Sequence, residues 1–137
     1  MKPVPTILYA EDDKDDMEML EEALKNVAKE FNLIHFKNGK EVIDLLTENP
    51  GVLTQSCIIL LDINMPLVDG KETLEWIKER SEFDHIPVIM LTTSEYTIDI
   101  KYCEDLGARV INKPQLFEEL IAVAKEIVDM CNPHYEV

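Results

Sequence analysis

Residues 57–66 read Cys-Ile-Ile-Leu-Leu-Asp-Ile-Asn-Met-Pro, a short apolar run that stops at Asp62. Short apolar runs bounded by polar segments are typical of buried parallel strands. Other short runs of the chain stop in the same way: residues 7–10 before Glu11 and Asp12, 89–91 before Thr92, and 110–111 shortly before Lys113. Because the carboxyl ends of parallel strands meet at one edge of a sheet, these polar groups are predicted to converge there.

Strand-like and helix-like segments alternate along the chain, which is the pattern of an open parallel sheet in an α/β fold. The strands are predicted at about 6–11, 32–36, 57–62, 87–92 and 109–112. A first helix is predicted from apolar residues spaced by three and four, namely Met17, Leu20, Leu24, Val27 and Phe31. Further helices are predicted at about 39–47, 70–80, 95–105 and 114–131, the last with Pro114 in its first turn.

The predicted last helix is apolar on two sides. One stripe is expected to cover the sheet and consists of Leu116, Leu120, Val123, Ala124 and Ile127. The second stripe consists of Phe117, Ile121 and Val128. It either packs under the first helix or the C-terminal tail, or it forms a partner or homodimer surface within residues 95–131. The sequence leaves both interpretations open.

Composition limits the classes of function. With 137 residues and 46% apolar content, the chain is expected to form a single domain, with a core at about 6–131. A formal charge of -15 would repel nucleic acids and anionic lipid surfaces, so neither is an expected partner. No apolar run approaches the length of a membrane span, and Cys57, Cys103 and Cys131 lack metal-site spacing. We therefore expect a soluble, cytoplasmic protein with free thiols.

The predicted sheet edge collects three carboxylates, from Glu11, Asp12 and Asp62. Two carboxylates about 4 Å apart repel by roughly 4 kcal/mol at an effective dielectric of about 20, so the group needs a proton, a lysine or a divalent cation. An all-oxygen site of this kind suits Mg²⁺. With Lys113 as a second positive charge and Thr92 as a hydroxyl donor, Asp62 is the candidate acceptor for a phosphoryl group.

The chain resembles the receiver domain of two-component response regulators over about residues 6–130. The motifs that carry the resemblance are Ile7-Leu8-Tyr9-Ala10-Glu11-Asp12-Asp13, Leu61-Asp62-Ile63-Asn64-Met65-Pro66 with Asp69-Gly70, Pro87-Val88-Ile89-Met90-Leu91-Thr92, and Leu106-Gly107-Ala108 followed by Asn112-Lys113-Pro114. The acidic first helix and the Trp76-Ile77-Lys78 region are similar to the stand-alone bacterial receivers that partner phytochromes.

The resemblance implies a flavodoxin-like fold with strand order 2-1-3-4-5. It also implies that Asp62 is the phosphoacceptor, while Thr92 and Lys113 contact the phosphoryl group. Mg²⁺ would be held by Glu11, Asp12, Asp62 and the main-chain carbonyl of Asn64. Two further implications are a cis peptide bond between Lys113 and Pro114 and a helix-flanking role for Asp13, without a metal contact.

One position departs from the family. Three residues before Lys113 the family usually has tyrosine or phenylalanine, whereas this chain has Val110. We therefore hypothesise that phosphorylation is relayed from Thr92 through Thr93 and Ser94 into the helix that carries Tyr96 and Tyr102. The resemblance also implies that the positions two residues beyond the acceptor and the threonine tune how quickly water removes the phosphoryl group. The small polar residues there, Asn64 and Ser94, predict spontaneous loss of phosphate.

The predicted function is that of a single-domain response regulator. Because only one predicted helix and a short tail follow Lys113, we expect no output module. The protein would then act through a downstream protein target and would be no enzyme beyond its own phosphotransfer and dephosphorylation. The phosphoryl group would come from a histidine kinase, of the phytochrome type by the finer resemblance, or pass to or from a phosphotransfer protein. The histidines, His35, His85 and His134, are interpreted as residues remote from the site.

Competing classes each lack a feature. A haloacid dehalogenase-type phosphatase needs an aspartate two residues after the nucleophile, where this chain has Asn64. A flavin-binding module needs a hydroxyl- and glycine-rich loop where Glu11, Asp12 and Asp13 stand. An EF-hand is excluded by Pro66 at the fifth loop position and the lack of glycine at the sixth. A scaffold receiver that is never phosphorylated remains the alternative within the same fold.

Overall fold

Strands and helices alternate in the computed structural model, which describes residues 4–52, 57–93 and 97–131. The strands are β1 (Thr6–Ala10), β2 (Asn32–Phe36), β3 (Cys57–Leu61), β4 (Val88–Thr92) and β5 (Arg109–Asn112). The helices are α1 (Lys14–Val27), α2 (Gly39–Glu48), α3 (Gly70–Lys78), α4 (Thr97–Asp105) and α5 (Phe117–Met130), with short 3₁₀ turns at Pro50–Val52 and Ser81–Phe83. The five predicted strands are thus confirmed to within a residue or so at their ends.

Within the described residues the strands form one parallel sheet of order β2-β1-β3-β4-β5, which confirms the predicted flavodoxin-like topology. The register aligns the strand ends. Ala10 at the end of β1 pairs with Leu61 at the end of β3, and Thr92 at the end of β4 pairs with Asn112 at the end of β5. The residues that follow these strands therefore leave the sheet at the same edge.

Helices cover both faces of the sheet, because successive strand residues point to opposite sides. One apolar layer combines Leu8, Ile59 and Met90 of the strands with residues of α2, α3 and α4. The other combines Ile7, Tyr9, Ile58 and Leu60 with residues of α1 and α5, which pack against each other. The three cysteines are buried. No helix in the described ranges has the length and apolar character needed to cross a membrane.

Polar caps begin three of the helices close to the edge of the sheet. The side chain of Asp13 accepts hydrogen bonds from the main-chain N–H groups of Asp15 and Asp16, which confirms its predicted place at the start of α1. Asn38 and Asp69 cap α2 and α3 in the same manner. Each cap satisfies main-chain donors that the first turn of a helix leaves unpaired.

The boundaries of α1 and α5 differ from those predicted. The first helix ends at Val27, because Ala28 is extended; Phe31 therefore lies outside it, although it packs against the same apolar layer. The last helix begins at Phe117 and not at residue 114, so Pro114 is not in its first turn. Proline restricts the residue before it to extended conformations, and Leu116, directly before the helix, is extended as well.

The two apolar stripes of α5 are divided differently from the prediction. Ile121 and Val128 of the second stripe are half-buried in the layer that α5 shares with α1, which favours packing under the first helix for these two residues. Leu116, placed in the sheet-covering stripe, is 60% exposed and precedes the helix. The prediction was wrong for Leu116, and Phe117 is also exposed.

The remaining differences concern α3, α4 and the loop after β3. The third helix ends at Lys78, two residues before the predicted end, and residues 95 and 96 of the predicted fourth helix lie outside the described residues. Leu67 has a φ of 65° and is 78% exposed. This left-handed conformation is unfavourable for a leucine by about 1 kcal/mol or more, so the loop between β3 and α3 carries local strain.

Candidate functional site

A cluster of carboxylates lies at the carboxyl edge of the sheet. One oxygen each from Glu11, Asp12 and Asp62 fits within a group whose members are all within 4.8 Å of one another. Glu11 is fully buried, Asp62 is almost fully buried and Asp12 is exposed. Backbone hydrogen bonds extend the sheet to these residues, since the N–H of Asp62 donates to the carbonyl of Ala10 at 3.1 Å. The structure thus brings together the three carboxylates that the strand ends predicted.

Lys113 reaches into this cluster from the end of β5. Its Nζ contacts the carboxylates of Glu11, Asp16 and Asp62, with distances of 2.8 Å to Asp16 Oδ2 and 3.0 Å to Asp62 Oδ2. The predicted cis bond between Lys113 and Pro114 is wrong, because no described peptide bond is cis. The trans bond is the ordinary, lower-energy form, and the lysine reaches the carboxylates with it.

Two contacts of the site were missed in the sequence. Asp16 lies in the first turn of α1, and the acidic run around it indicated only a favourable helix start. Tyr9 looked like an ordinary strand residue of the core, yet its hydroxyl donates a hydrogen bond to Glu11 Oε1 at 3.1 Å. The sequence did contain a signal for this contact. Residues two positions apart in extended chain point to the same side, so Tyr9 of β1 and Glu11, directly after it, face the same way.

Glu11 is surrounded by donors. Tyr9 and Lys113 contact Oε1, and the main-chain N–H of Asp13 donates to Oε2 at 3.2 Å. Burial nevertheless raises the pKa of Glu11 to about 7, against the opposing effect of Lys113. Burial and the neighbouring Glu11 carboxylate raise the pKa of Tyr9, so it remains a neutral donor. Burial lowers the pKa of Lys113, but the hydrogen bonds that its ammonium donates to Asp16, Glu11 and Asp62 outweigh this and raise the pKa overall.

The donor set fits a hard divalent cation. Both Mg²⁺ and Mn²⁺ prefer carboxylate oxygens as ligands. Glu11, Asp12 and Asp62 can each contribute one carboxylate oxygen to a common site. A single ammonium, that of Lys113, cannot offset the charge of four carboxylates once Asp16 is included. A bound cation would relieve the remaining repulsion between them.

Each oxygen of Asp62 has a separate donor. The main-chain N–H of Asn64 donates to Oδ1 at 3.1 Å, and Lys113 contacts Oδ2. The side chain of Asn64 is exposed. Thr92 is fully buried as the last residue of β4, and its carbonyl accepts a hydrogen bond from the N–H of Lys113 at 2.8 Å. The site residues named from the sequence therefore lie at one edge of the sheet.

Gly70 fixes the loop behind Asp62. Its N–H donates to the carbonyl of Ile63 at 2.9 Å, and a Cβ at this position would lie 2.1 Å from the carbonyl oxygen of Asp62. Because that oxygen belongs to the main chain, it cannot move aside as a flexible side chain could. Glycine is thus required where the start of α3 approaches the end of β3.

His35 lies nearer the site than predicted. Its Nε2 is 2.7 Å from the main-chain oxygen of Glu11, because β2 pairs with β1 and places His35 opposite Tyr9. The prediction that His35 is remote was therefore wrong, although its contact is to the backbone and not to a carboxylate. His85 is exposed and lies two residues after the 3₁₀ turn at Ser81–Phe83, and His134 lies outside the described residues.

Val110 occupies the position that is usually aromatic. It is half-buried beside the apolar layer of α2, α3 and α4 and pairs with Met90 of β4. Ser94 and Tyr96, named in the proposed relay, lie outside the described residues. Tyr102 on α4 is partly exposed, and its hydroxyl bonds with Glu75 of α3, which raises the pKa of Tyr102. The relay through α4 stays a prediction.

Comparison with known proteins identifies similar molecules. The family model described as the response regulator receiver domain matches residues 7–125. Response regulator Rcp1 of Synechocystis sp. is 36% identical over 101 residues, covering 72% of this chain and 68% of Rcp1. These matches confirm the resemblance drawn from the motifs.

Solved structures agree with the sequence comparison. The phosphorylated cyanobacterial phytochrome response regulator RcpA superposes with a TM-score of 0.81 at 30% identity, covering 91% of each chain. The Mn²⁺-bound form of Rcp1 superposes with a TM-score of 0.81 at 27% identity, covering 97% of this chain and 98% of Rcp1.

Proposed function

Since this chain belongs to the response regulator receiver domain family, we propose that it is phosphorylated on Asp62 in a Mg²⁺-dependent reaction and signals by binding another protein. The observation that carries the proposal is the environment of the Asp62 carboxylate. It is almost fully buried, it has an ammonium 3.0 Å from one oxygen, and it belongs to a compact group of three carboxylates. Such a group can accept a phosphoryl group, because positive charge faces the oxygens on which charge develops.

The phosphoryl transfer is a single displacement at phosphorus. A carboxylate oxygen of Asp62 attacks the phosphorus of a phosphohistidine, the new O–P bond forms as the P–N bond breaks, and the imidazole leaves with the electron pair. The N–H of Asn64 and the ammonium of Lys113 hold the carboxylate in one orientation. We assign to the Lys113 ammonium and the Thr92 hydroxyl the binding of the phosphoryl oxygens after transfer.

Glu11, Asp12, Asp62 and the main-chain carbonyl of Asn64 are proposed to hold the cation. When bound, Mg²⁺ would supply positive charge beside the phosphoryl oxygens and offset the repulsion between the carboxylates. The Mn²⁺-bound form of Rcp1 supports a divalent cation in a protein of this fold. The all-carboxylate donor set of this chain supports a hard ion such as Mg²⁺.

A histidine kinase of the phytochrome type is the proposed phosphoryl donor, and the proposed location is the cytoplasm. The support is the similarity to RcpA, described as a cyanobacterial phytochrome response regulator. A phosphotransfer protein would present the same phosphohistidine chemistry to Asp62. We propose that the protein turns over no substrate other than its own phosphoryl group.

Incubation with acetyl phosphate and Mg²⁺, followed by intact-protein mass spectrometry, tests the proposal. We expect one added phosphoryl group in the parent protein and in the control Asp84→Asn, an exposed aspartate away from the cluster. None is expected in Asp62→Asn or when Mg²⁺ is chelated. An unlabelled parent protein would support the scaffold receiver, and repeated turnover of a phosphomonoester would support the phosphatase.

A further inference from the structure

We propose that Asp16 is a positioning residue for Lys113. Asp16 competes with Asp62 for the Lys113 ammonium and thereby opposes the phosphorylated state. This inference rests on the proposed phosphorylation of Asp62. Asp16 Oδ2 lies 2.8 Å from Lys113 Nζ, slightly closer than Asp62 Oδ2 at 3.0 Å. The lysine is thus divided between the acceptor and a residue of the first helix.

The number of donors makes the competition necessary. An ammonium has three N–H groups, and in the described structure Lys113 Nζ contacts three carboxylates, those of Glu11, Asp16 and Asp62. All of its donors are therefore engaged before any phosphoryl group arrives. Phosphorylation adds negative charge and new acceptor oxygens at Asp62. A hydrogen bond from Lys113 to one of these oxygens requires that an existing contact be released.

Burial determines which contact is released. Glu11 is fully buried and Asp62 nearly so, whereas the side chain of Asp16 is 38% exposed. A buried carboxylate that loses its donor bears the full cost of desolvation, while water can replace the donor at an exposed one. Asp16 therefore gives up Lys113 most readily. The first turn of α1, which begins at the cap Asp13, then loses its tie to the end of β5.

A matched pair of variants isolates this role. Asp15 and Asp16 are neighbours in the first turn of α1, so Asp16→Asn and Asp15→Asn remove the same charge from the same helix end, but Asp15 is exposed and contacts no ammonium among the described ion pairs. The probe is beryllofluoride with Mg²⁺ saturating for each variant, because BeF₃⁻ binds a carboxylate in the manner of a phosphoryl group.

Asp16→Asn should bind beryllofluoride about two- to five-fold more tightly than the parent protein, the range that a partly exposed ion pair supports. Asp15→Asn and the charge-conserving Asp16→Glu should stay close to the parent protein. In a Lys113→Gln background, Asp16→Asn should no longer bind beryllofluoride more tightly than Asp15→Asn, because the ammonium for which Asp16 competes is absent. Equal effects of the two asparagine variants with Lys113 present would overturn the inference.

A spectroscopic measurement gives an independent readout. On addition of beryllofluoride and Mg²⁺, the ¹³C carboxyl shift of Asp16 should move toward that of a solvated aspartate, while the shift of Asp15 stays unchanged. A binding-competent protein in which the Asp16 signal does not move would refute the release of Lys113. If the parent protein binds no beryllofluoride and accepts no phosphoryl group, the proposed function itself fails.

Discussion

Gly70 packs directly against the main chain of Asp62, so that a methyl group on Gly70 would lie 2.1 Å from the Asp62 carbonyl oxygen. The contact joins the start of α3 to the end of β3. It explains why the Asp69-Gly70 pair belongs with the Asp62 motif eight residues earlier, since the polar cap and the close approach are both needed there. The position of the acceptor side chain depends on this backbone contact.

Gly70→Ala should destabilise the protein by about 2–3 kcal/mol, because the added methyl group meets main-chain atoms that cannot move independently. Gly51→Ala is the matched control, since nothing lies within 4 Å of the corresponding Cβ. Chemical denaturation measures the difference. A Gly70→Ala protein as stable as Gly51→Ala would show that the approach of α3 to β3 is looser than described.

Tyr9→Phe should lower the free energy of unfolding by about 1–2 kcal/mol, because the buried Glu11 carboxylate loses a donor. Tyr102→Phe is the control: it removes a hydroxyl bonded to Glu75 from a partly exposed side chain, and we expect a change below about 0.5 kcal/mol. The comparison is made without Mg²⁺ by urea denaturation. Equal effects for the two variants would argue against a special role of the Tyr9 hydroxyl.

Mg²⁺ binding should strengthen as the pH rises toward about 7, the value to which burial raises the pKa of Glu11, and should level off above it. The proton and the cation compete for the same carboxylate. Without Mg²⁺, the free energy of unfolding should change with pH in the opposite direction. The stabilising contribution of Glu11 is fully present below its ordinary pKa of 4.5 and is lost as the pH rises through about 7.

The pH dependence of Mg²⁺ binding can be measured as the increase in melting temperature that a fixed Mg²⁺ concentration causes between about pH 5 and about pH 8. In Glu11→Gln the increase should be smaller, and the part of its pH dependence centred near 7 should disappear, since glutamine does not titrate. A parent protein whose response to Mg²⁺ is flat across this range would contradict the role given to Glu11.

The cysteine thiols should resist modification in the folded protein. Burial, with a smaller effect of Cys57, raises the pKa of Cys131 to about 12, and burial also raises the pKa values of Cys57 and Cys103. Since the thiolate is the reactive form, Ellman's reagent at about pH 8 should react slowly with the native protein. All three thiols should react once guanidinium unfolds it. A thiol that reacts rapidly in the native state would contradict the burial of these residues.

The sheet and the main site residues could be predicted because each depends on a local pattern. Apolar runs that end in Glu11-Asp12, Asp62, Thr92 and Lys113 indicate strands, and parallel topology brings strand ends to one edge. The start of α2 and that of α3 were readable for a related reason. Asn38 and Asp69 are polar residues whose side chains bond to nearby main-chain donors.

The missed features depend on contacts between distant segments. Asp16 looked like part of a solvated helix start, and only the path of Lys113 from β5 shows that it pairs with an ammonium. His35 approaches Glu11 because β2 lies next to β1, with the register Tyr9 to His35. The late start of α5 was hidden because Leu116 and Phe117 continue the apolar spacing of the helix while remaining exposed.

The order of synthesis gives the long separation of the ion-paired residues a further consequence. Lys113 lies 102 positions after Glu11, and α5, which follows Lys113, packs against α1, which lies near the start of the sequence. During synthesis on the ribosome, the acidic residues of the site therefore emerge long before the lysine that pairs with them. Domains generally form as units once enough of the chain is available, so competence to receive a signal is expected only of molecules whose translation has passed β5.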